Sequence, residues 1–132
     1  MPHPSTCGVT GASGYVGRVL VEALRRAGHQ VIELNRSAAG PRSTAPTRTL
    51  VLGRTIDDAV FAGLDVVIHA AYDFSVATSD AIERRNVAST LELFAKARAA
   101  GVSRRVFISS MSSFPGCSSL YGKAKMSVEQ EA

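Results

Sequence analysis

Tyr121 and Lys125 stand four residues apart in Tyr121-Gly122-Lys123-Ala124-Lys125, a spacing that puts both side chains on one face of a helix. An ammonium beside a phenol favours the phenolate, and a nearby helix N-terminus pushes the same way. A tyrosine so placed can exchange protons with a bound hydroxyl or carbonyl at neutral pH. Just upstream lies Ser109-Ser110-Met111-Ser112-Ser113, from which one hydroxyl at a strand end would hold and polarise a substrate oxygen. Taken alone, the pair reads as a surface Tyr and Lys on a partner-facing helix. It does not stand alone.

The other stretch with chemical content is Thr6-Cys7-Gly8-Val9-Thr10-Gly11-Ala12-Ser13-Gly14-Tyr15-Val16-Gly17. A short apolar run passes through glycines spaced G-x-x-G-x-x-G and enters Val16, Val19, Leu20, Ala23, Leu24 and Ala27, which repeat at helical spacing. Strand, glycine turn, helix is the opening of a dinucleotide-binding βαβ unit. Gly11 permits the tight turn, Gly14 has no Cβ to block a pyrophosphate, and Gly17 lets helix and strand pack closely. Free N–H groups at the helix start, around Ser13, Tyr15 and Val16, would then receive phosphate charge. Gly28 is expected to stop this helix.

The next strand, Gln30-Val31-Ile32-Glu33-Leu34, ends at Asn35-Arg36-Ser37. An acid at that place accepts hydrogen bonds from an adenosine 2′-hydroxyl and repels a 2′-phosphate. Asn35 carries no charge, and a guanidinium and hydroxyl at Arg36 and Ser37 suit a phosphate better than a diol. NADP is therefore expected over NAD.

These groups need a scaffold, and the remaining pattern supplies one. Ala38 to Thr47, rich in Gly, Pro, Ser and Thr, reads as a loop. Arg48–Leu52 is expected as a third strand, and Thr55–Ala62 as a short helix with Asp57 and Asp58 stabilising its early turns. Asp65–Ala71 reads as a central parallel strand, apolar on both faces. A long helix runs from Ser79 to Ala100, with Val87, Leu91, Phe94 and Ala95 on one face and Gly101 closing it. Arg104–Ser109 is a fifth strand, and a last helix starts near Tyr121. Strands alternating with helices predict an α/β parallel sheet covered on both faces, and the dinucleotide-binding opening makes it a doubly wound parallel sheet, expected in strand order 3-2-1-4-5 with the cofactor across the ends of strands one and four.

Composition excludes several classes. The chain has 132 residues, 45% apolar and 20% charged, which fits one ordinary folded domain over residues 1–132. Its net charge of +4 comes from scattered pairs such as Arg25-Arg26, Arg84-Arg85 and Arg104-Arg105, without interleaved aromatics, so no nucleic-acid face is expected. Cys7 in a strand and Cys117 in a loop have no framework spacing and read as a buried and an exposed free thiol. The start, Met1-Pro2-His3-Pro4-Ser5, lacks a basic region and an apolar run, so neither signal peptide nor membrane span is expected, and the setting is cytoplasmic.

Together these residues resemble the short-chain dehydrogenase/reductase superfamily, in its extended branch of NAD(P)-dependent epimerases, dehydratases and reductases. The markers are Thr10-Gly11-x-x-Gly14-x-x-Gly17, His69-Ala70-Ala71 at a strand end, Asn86-Val87 in the long helix, and the Ser, Tyr-x-x-x-Lys set. The resemblance implies hydride transfer at a carbinol or carbonyl carbon of a small molecule such as a sugar nucleotide. It makes Tyr121 the general acid/base, with Lys125 assisting it while holding the nicotinamide ribose. Ala70 and Ala71 would line the cofactor, Asn86 would shape the long helix, and His69 would be a strand-end residue without a metal or catalytic role. Placed without gaps from the fifth strand, the catalytic serine is Ser110. A one-residue shift in Phe114-Pro115-Gly116, which replaces the family's Val-Tyr-Gly, makes Ser112 the alternative.

Two departures accompany the likeness. Leu52-Gly53-Arg54 stands where the family often has an acid after the third strand. Extended members also carry further strands and a C-terminal substrate domain beyond the Tyr-x-x-x-Lys helix, so the chain reads as the N-terminal, cofactor-binding portion of such an enzyme. The alternative is a non-catalytic dinucleotide-binding module that senses redox state or docks on a partner. Helices 79–100 and 121–132 match those through which extended members commonly dimerise, which implies a homodimer.

Overall fold

The computed structural model describes residues 3–37 and 46–132. Among them, parallel strands β1 (Thr6–Thr10), β2 (Gln30–Asn35), β3 (Thr47–Thr49), β4 (Val66–His69) and β5 (Arg104–Phe107) form one sheet in the order β3-β2-β1-β4-β5. That is the expected order. β1 lies between β2 and β4, with Thr10 opposite Leu34 on one side and His69 on the other. The chain leaves β1 in opposite directions at this point, and such a switch opens a crevice at the strands' C-terminal ends.

The sheet buries two unequal cores. One face carries Leu34, Leu50, Leu52, Phe61, Leu64 and Val67 against Val87, Leu93, Phe94, Ala97, Ala124 and Val128 of the helices. The other carries Val9, Val31 and Ile68 under Val21 of α1 (Tyr15–Arg26). Helix α1 is rotated from the expected face. Gly17 and Val21 point inward with Leu20 and Leu24 partly buried, while Val16, Val19, Ala23 and Ala27 are exposed. The reason is local: Gly17, the smallest residue, takes the closest approach, and this turns the valines outward. Gly28, at φ +90°, ends the helix as expected, because a left-handed residue there costs glycine nothing.

Several boundaries move. β3 spans Thr47–Thr49 rather than Arg48–Leu52; the Leu50 N–H still donates to the Asn35 carbonyl at 2.8 Å, and the strand stops there as the Leu50 and Leu52 side chains pack into the core. The expected helix at Thr55–Ala62 shrinks to one 3₁₀ turn, Asp58–Phe61, because Asp57 caps it by accepting from the Ala59 N–H at 2.9 Å. β4 and β5 end at His69 and Phe107, two residues before the expected Ala71 and Ser109. The loop expected at Ala38–Thr47 falls mostly on residues 38–45, outside the described residues. Cys117, expected exposed, is buried, as is Cys7.

The long helix is one rod in three segments: α2 (Ser79–Ile82), a π-helical stretch at Glu83–Ala88, and α3 (Ser89–Ala99). The wide turn shifts the helical phase, so Ala95 faces solvent and Leu93 and Ala97 take the core positions. Such bulges persist where something other than regular packing holds them. Here that is Asn86, described below. Helix α4 (Leu120–Glu131) begins at Ser119, whose hydroxyl accepts from the Gly122 N–H at 3.0 Å.

Candidate active site

Gly11, at φ +63°, turns the chain out of β1 directly against the strand-end backbone of β4. A Cβ built on it would stand 2.9 Å from the backbone of Ala71. A Cβ on Gly17 would meet the Gly11 carbonyl at 1.9 Å, so this glycine is required by packing alone. Gly14 differs. Its Cβ would meet only the Gly11 carbonyl, at 3.3 Å, a tight contact that a shift of a few tenths of an ångström relieves. Gly14 caps α1 without a side-chain hydrogen bond, and no acid sits in the first turn. The first-turn N–H groups of the exposed residues Tyr15 and Val16 therefore lie uncapped by any side chain at the positive end of the helix. Ser13 and Tyr15 are exposed beside them.

Across the crevice, Asn35 ends β2 half-buried. Its Nδ2 donates to Glu33 Oε1 at 3.3 Å, which fixes the amide orientation. Its Oδ1 is then left buried without a partner. An orphaned buried oxygen is costly inside a protein, and this one is an acceptor waiting for a donor. Arg36 and Ser37 follow on an exposed bend.

His69 explains how the Ala70–Ala71 turn is held. Thr10 Oγ1 accepts from the N–H groups of Ala70 and Ala71, at 3.0 and 3.1 Å, and lies 2.6 Å from His69 Nδ1. Having spent its acceptor capacity, the hydroxyl donates its proton to Nδ1. His69 Nε2 must then carry the ring proton and donate to Thr90 Oγ1 at 2.8 Å, which donates in turn to the Asn86 carbonyl at 2.6 Å. The imidazole is buried and neutral. Desolvation, with a smaller push from the Lys125 ammonium, holds its pKa at about 3. Sequence reasoning found His69 and Asn86 but missed Thr10 and Thr90 as the hydroxyls joining them.

Asn86 fastens the next loop. Its Oδ1 accepts from the Asp73 N–H at 2.7 Å and its Nδ2 donates to the Asp73 carbonyl at 3.1 Å. Asp73 also pairs with Arg85 at 2.8 Å and accepts from the Ser75 N–H at 2.9 Å. These bonds hold its carboxyl below the usual range, Ser75 contributing most.

The structure brings Tyr121 and Lys125 to the same place. Lys125 is 4% exposed, and its Nζ donates to the Ile108 carbonyl at 2.9 Å. The ammonium lies 4.6, 5.5 and 5.6 Å from the ring centres of Phe107, Tyr72 and Tyr121. It thus sits among aromatic rings, bonded to the end of β5 and not to the phenol, and burial pushes it down to about 8. Lys125 and Ala71 line the same small pocket with Tyr72 and Asn86. Ala71 therefore links the glycine turn to the Tyr–Lys pair. Of the serines, Ser110 is half-buried with its Oγ accepting from the Ser112 N–H at 3.1 Å, while Ser112 is exposed. The Ser112 carbonyl packs on α4 where a Cβ at Gly122 would lie 2.1 Å away.

The model of the NAD dependent epimerase/dehydratase family matches residues 7–131. The chain belongs to this family. Among curated proteins it is 39% identical over 108 residues to a 4-hydroxy-2-methyl-3-oxo-4-farnesyl-3,4-dihydroquinoline-1-oxide ketoreductase of Stigmatella aurantiaca, covering 76% of this chain and 32% of that one. It is 34% identical over 118 residues to UDP-glucose 4-epimerase of Streptomyces lividans, covering 80% and 36%. Among solved structures it is similar to a short-chain dehydrogenase/reductase superfamily protein of Agrobacterium tumefaciens with bound NAD, at TM-score 0.76 and 28% identity, covering 95% of this chain and 43% of that one. MoeE5 in complex with UDP-glucuronic acid and NAD gives TM-score 0.81 and 26% identity, covering 96% and 48%. The chain thus spans about a third of the curated relatives' length (32% and 36%). Among the described residues no helix is long and apolar enough to cross a membrane.

Proposed function

We propose that this chain carries the cofactor site and the acid/base pair of an NAD(P)-dependent oxidoreductase, epimerase or dehydratase. The reaction is hydride transfer at a carbinol or carbonyl carbon of a small molecule, with sugar nucleotides the substrate class that the relatives' names favour. The observation that carries this reading is the position of Ala71, which abuts the Gly11 turn and lines one pocket with Lys125.

The residues present fit a dinucleotide. The first-turn N–H groups of Tyr15 and Val16, with Gly14 free of a side chain, Ser13 alongside and Gly17 letting the helix start pack on the Gly11 turn, suit a pyrophosphate. The orphaned Asn35 Oδ1 suits a ribose hydroxyl, and exposed Arg36 and Ser37 suit a 2′-phosphate, which favours NADP over NAD. Ala70 and Ala71 flank the path toward Lys125. A nicotinamide held there would supply the hydride chemistry. Tyr121 Oη holds the proton that leaves or returns to the substrate oxygen. The buried Lys125 ammonium, 5.6 Å from the centre of the Tyr121 ring, assists it by its charge, and Ser110, or Ser112, steadies the substrate oxygen. A cytoplasmic homodimer through helices 79–100 and 121–132 belongs to the same reading.

Tyr121→Phe tests it. Turnover should vanish while NADPH affinity, read by fluorescence titration, stays within a few-fold. A variant that keeps most of its activity refutes the acid/base role.

A further inference from the structure

We propose that Phe74 is a stacking platform for the ring that bears the reacting carbon, so that the substrate is cyclic and presents an apolar ring face beside Tyr121. The inference rests on the acid/base reading of Tyr121 and adds a binding residue and a substrate shape to it.

Phe74 is 74% exposed. One exposed aromatic is ordinary on a protein surface, but this one is neither isolated nor loosely held. Its ring lies 5.6 Å from Tyr121 at an interplanar angle of 23°, and 4.6 Å from Tyr72. Tyr72 meets Tyr121 edge-on at 4.8 Å. The three rings form a cluster around the phenol, with Phe74 its solvent-facing member.

The backbone beneath the cluster is pinned. Asp73, the preceding residue, is clamped at both its N–H and its carbonyl by Asn86, and its carboxylate is held by Arg85 and the following Ser75. This network fixes Phe74 from both sides while leaving its ring in water. A preorganised apolar surface of this kind gives binding energy without an ordering cost.

The same network turns polar chemistry away from the site. The Arg85 guanidinium is engaged with the Asp73 carboxylate, and the Asn86 amide with the Asp73 backbone N–H and carbonyl. What the β4–α2 side presents beside the phenol is therefore aromatic surface. An aromatic face recognises the face of another ring, whether the C–H face of a pyranose or the plane of an aryl or carbocyclic ketone, and offers little to an open polar chain.

Ligand-observed saturation-transfer NMR on the chain with saturating NAD(H) tests this, using UDP-glucose as the pyranose probe and α-tetralone as the fused-ring ketone. In the wild type, the ring protons of at least one probe should take up saturation. Phe74→Ala should weaken that probe's Kd about tenfold, Phe74→Leu several-fold, and Phe74→Tyr scarcely at all. Dependence confined to UDP-glucose identifies a sugar ring, and dependence confined to α-tetralone an aryl or carbocyclic one. NAD(H) affinity should be the same in all four proteins, and its absence from the wild type would overturn the cofactor reading instead. Bound NAD(H) with no Phe74-dependent contact to either ring would overturn the stacking role.

Discussion

Acidification should unfold this protein through His69, and the size of the effect follows from its bonds. In the folded chain Nδ1 accepts from Thr10 and Nε2–H donates to Thr90, so a second ring proton has no place. The pKa of about 3 stands well below the ordinary 6.5. Because the folded value is depressed, this stabilisation is fully present above pH 6.5. It is lost as pH falls toward 3, while the unfolded chain takes up its proton. By linkage, the loss between pH 7.5 and 5 is about 2 kcal/mol, a substantial share of a small domain's stability. Urea unfolding followed by circular dichroism at the two pH values gives the wild-type difference, and His69→Gln, with no proton to take up, should lose about 2 kcal/mol less over the same range. NMR of ¹⁵N-labelled imidazole should find His69 as the Nε2–H tautomer at pH 5. Parallel pH profiles for the two proteins, or a His69 that titrates near 6.5, would refute the proton assignment on which the argument is built.

Lys125 should behave in the opposite pH range: with its pKa pushed down from 10.5 to about 8, stability should rise between pH 8 and 10 by about 2 kcal/mol, and Lys125→Met should flatten that rise in urea melts. Gly17→Ala forces a Cβ to 1.9 Å from a carbonyl oxygen, so α1 must shift at a cost of about 2–4 kcal/mol, visible as a lowered midpoint. Gly14→Ala, whose Cβ would stand 3.3 Å from the Gly11 carbonyl, should lower the midpoint far less than Gly17→Ala yet lose dinucleotide affinity about tenfold or more in titrations, since a methyl group at the helix start crowds a bound phosphate. NADPH should bind about tenfold more tightly than NADH, the size of one charge-assisted contact. Arg36→Ala should erase the difference, and an NADH preference unchanged by it would refute the assignment.

What the sequence determined by itself was whatever depends on short spacing. A strand, a glycine turn and an amphipathic helix are local objects, so the βαβ opening and the Tyr–Lys face were legible in residues 6–17 and 121–125, and the strand order followed from the fold that this opening implies. Boundaries were less so, because tertiary packing sets them: the ladder ends where the Leu50 N–H bonds the Asn35 carbonyl, and Leu52 beyond it packs into the core. The rotation of α1 was hidden for a related reason. Periodicity ranks faces by hydrophobicity, whereas Gly17 won the inward position by being small. The network joining Thr10, His69, Thr90, Asn86 and Asp73 was beyond reach of any pattern, since Thr10 and His69 are 59 residues apart in sequence. Only the pairing of β1 with β4 brings them together, and with them the wide helical turn at Glu83–Ala88. The burial of Lys125 was likewise a tertiary decision. Four-residue spacing places it beside Tyr121, but the rings of Phe107 and Tyr72 and the carbonyl of Ile108, from two separate stretches of chain, make it a desolvated ammonium.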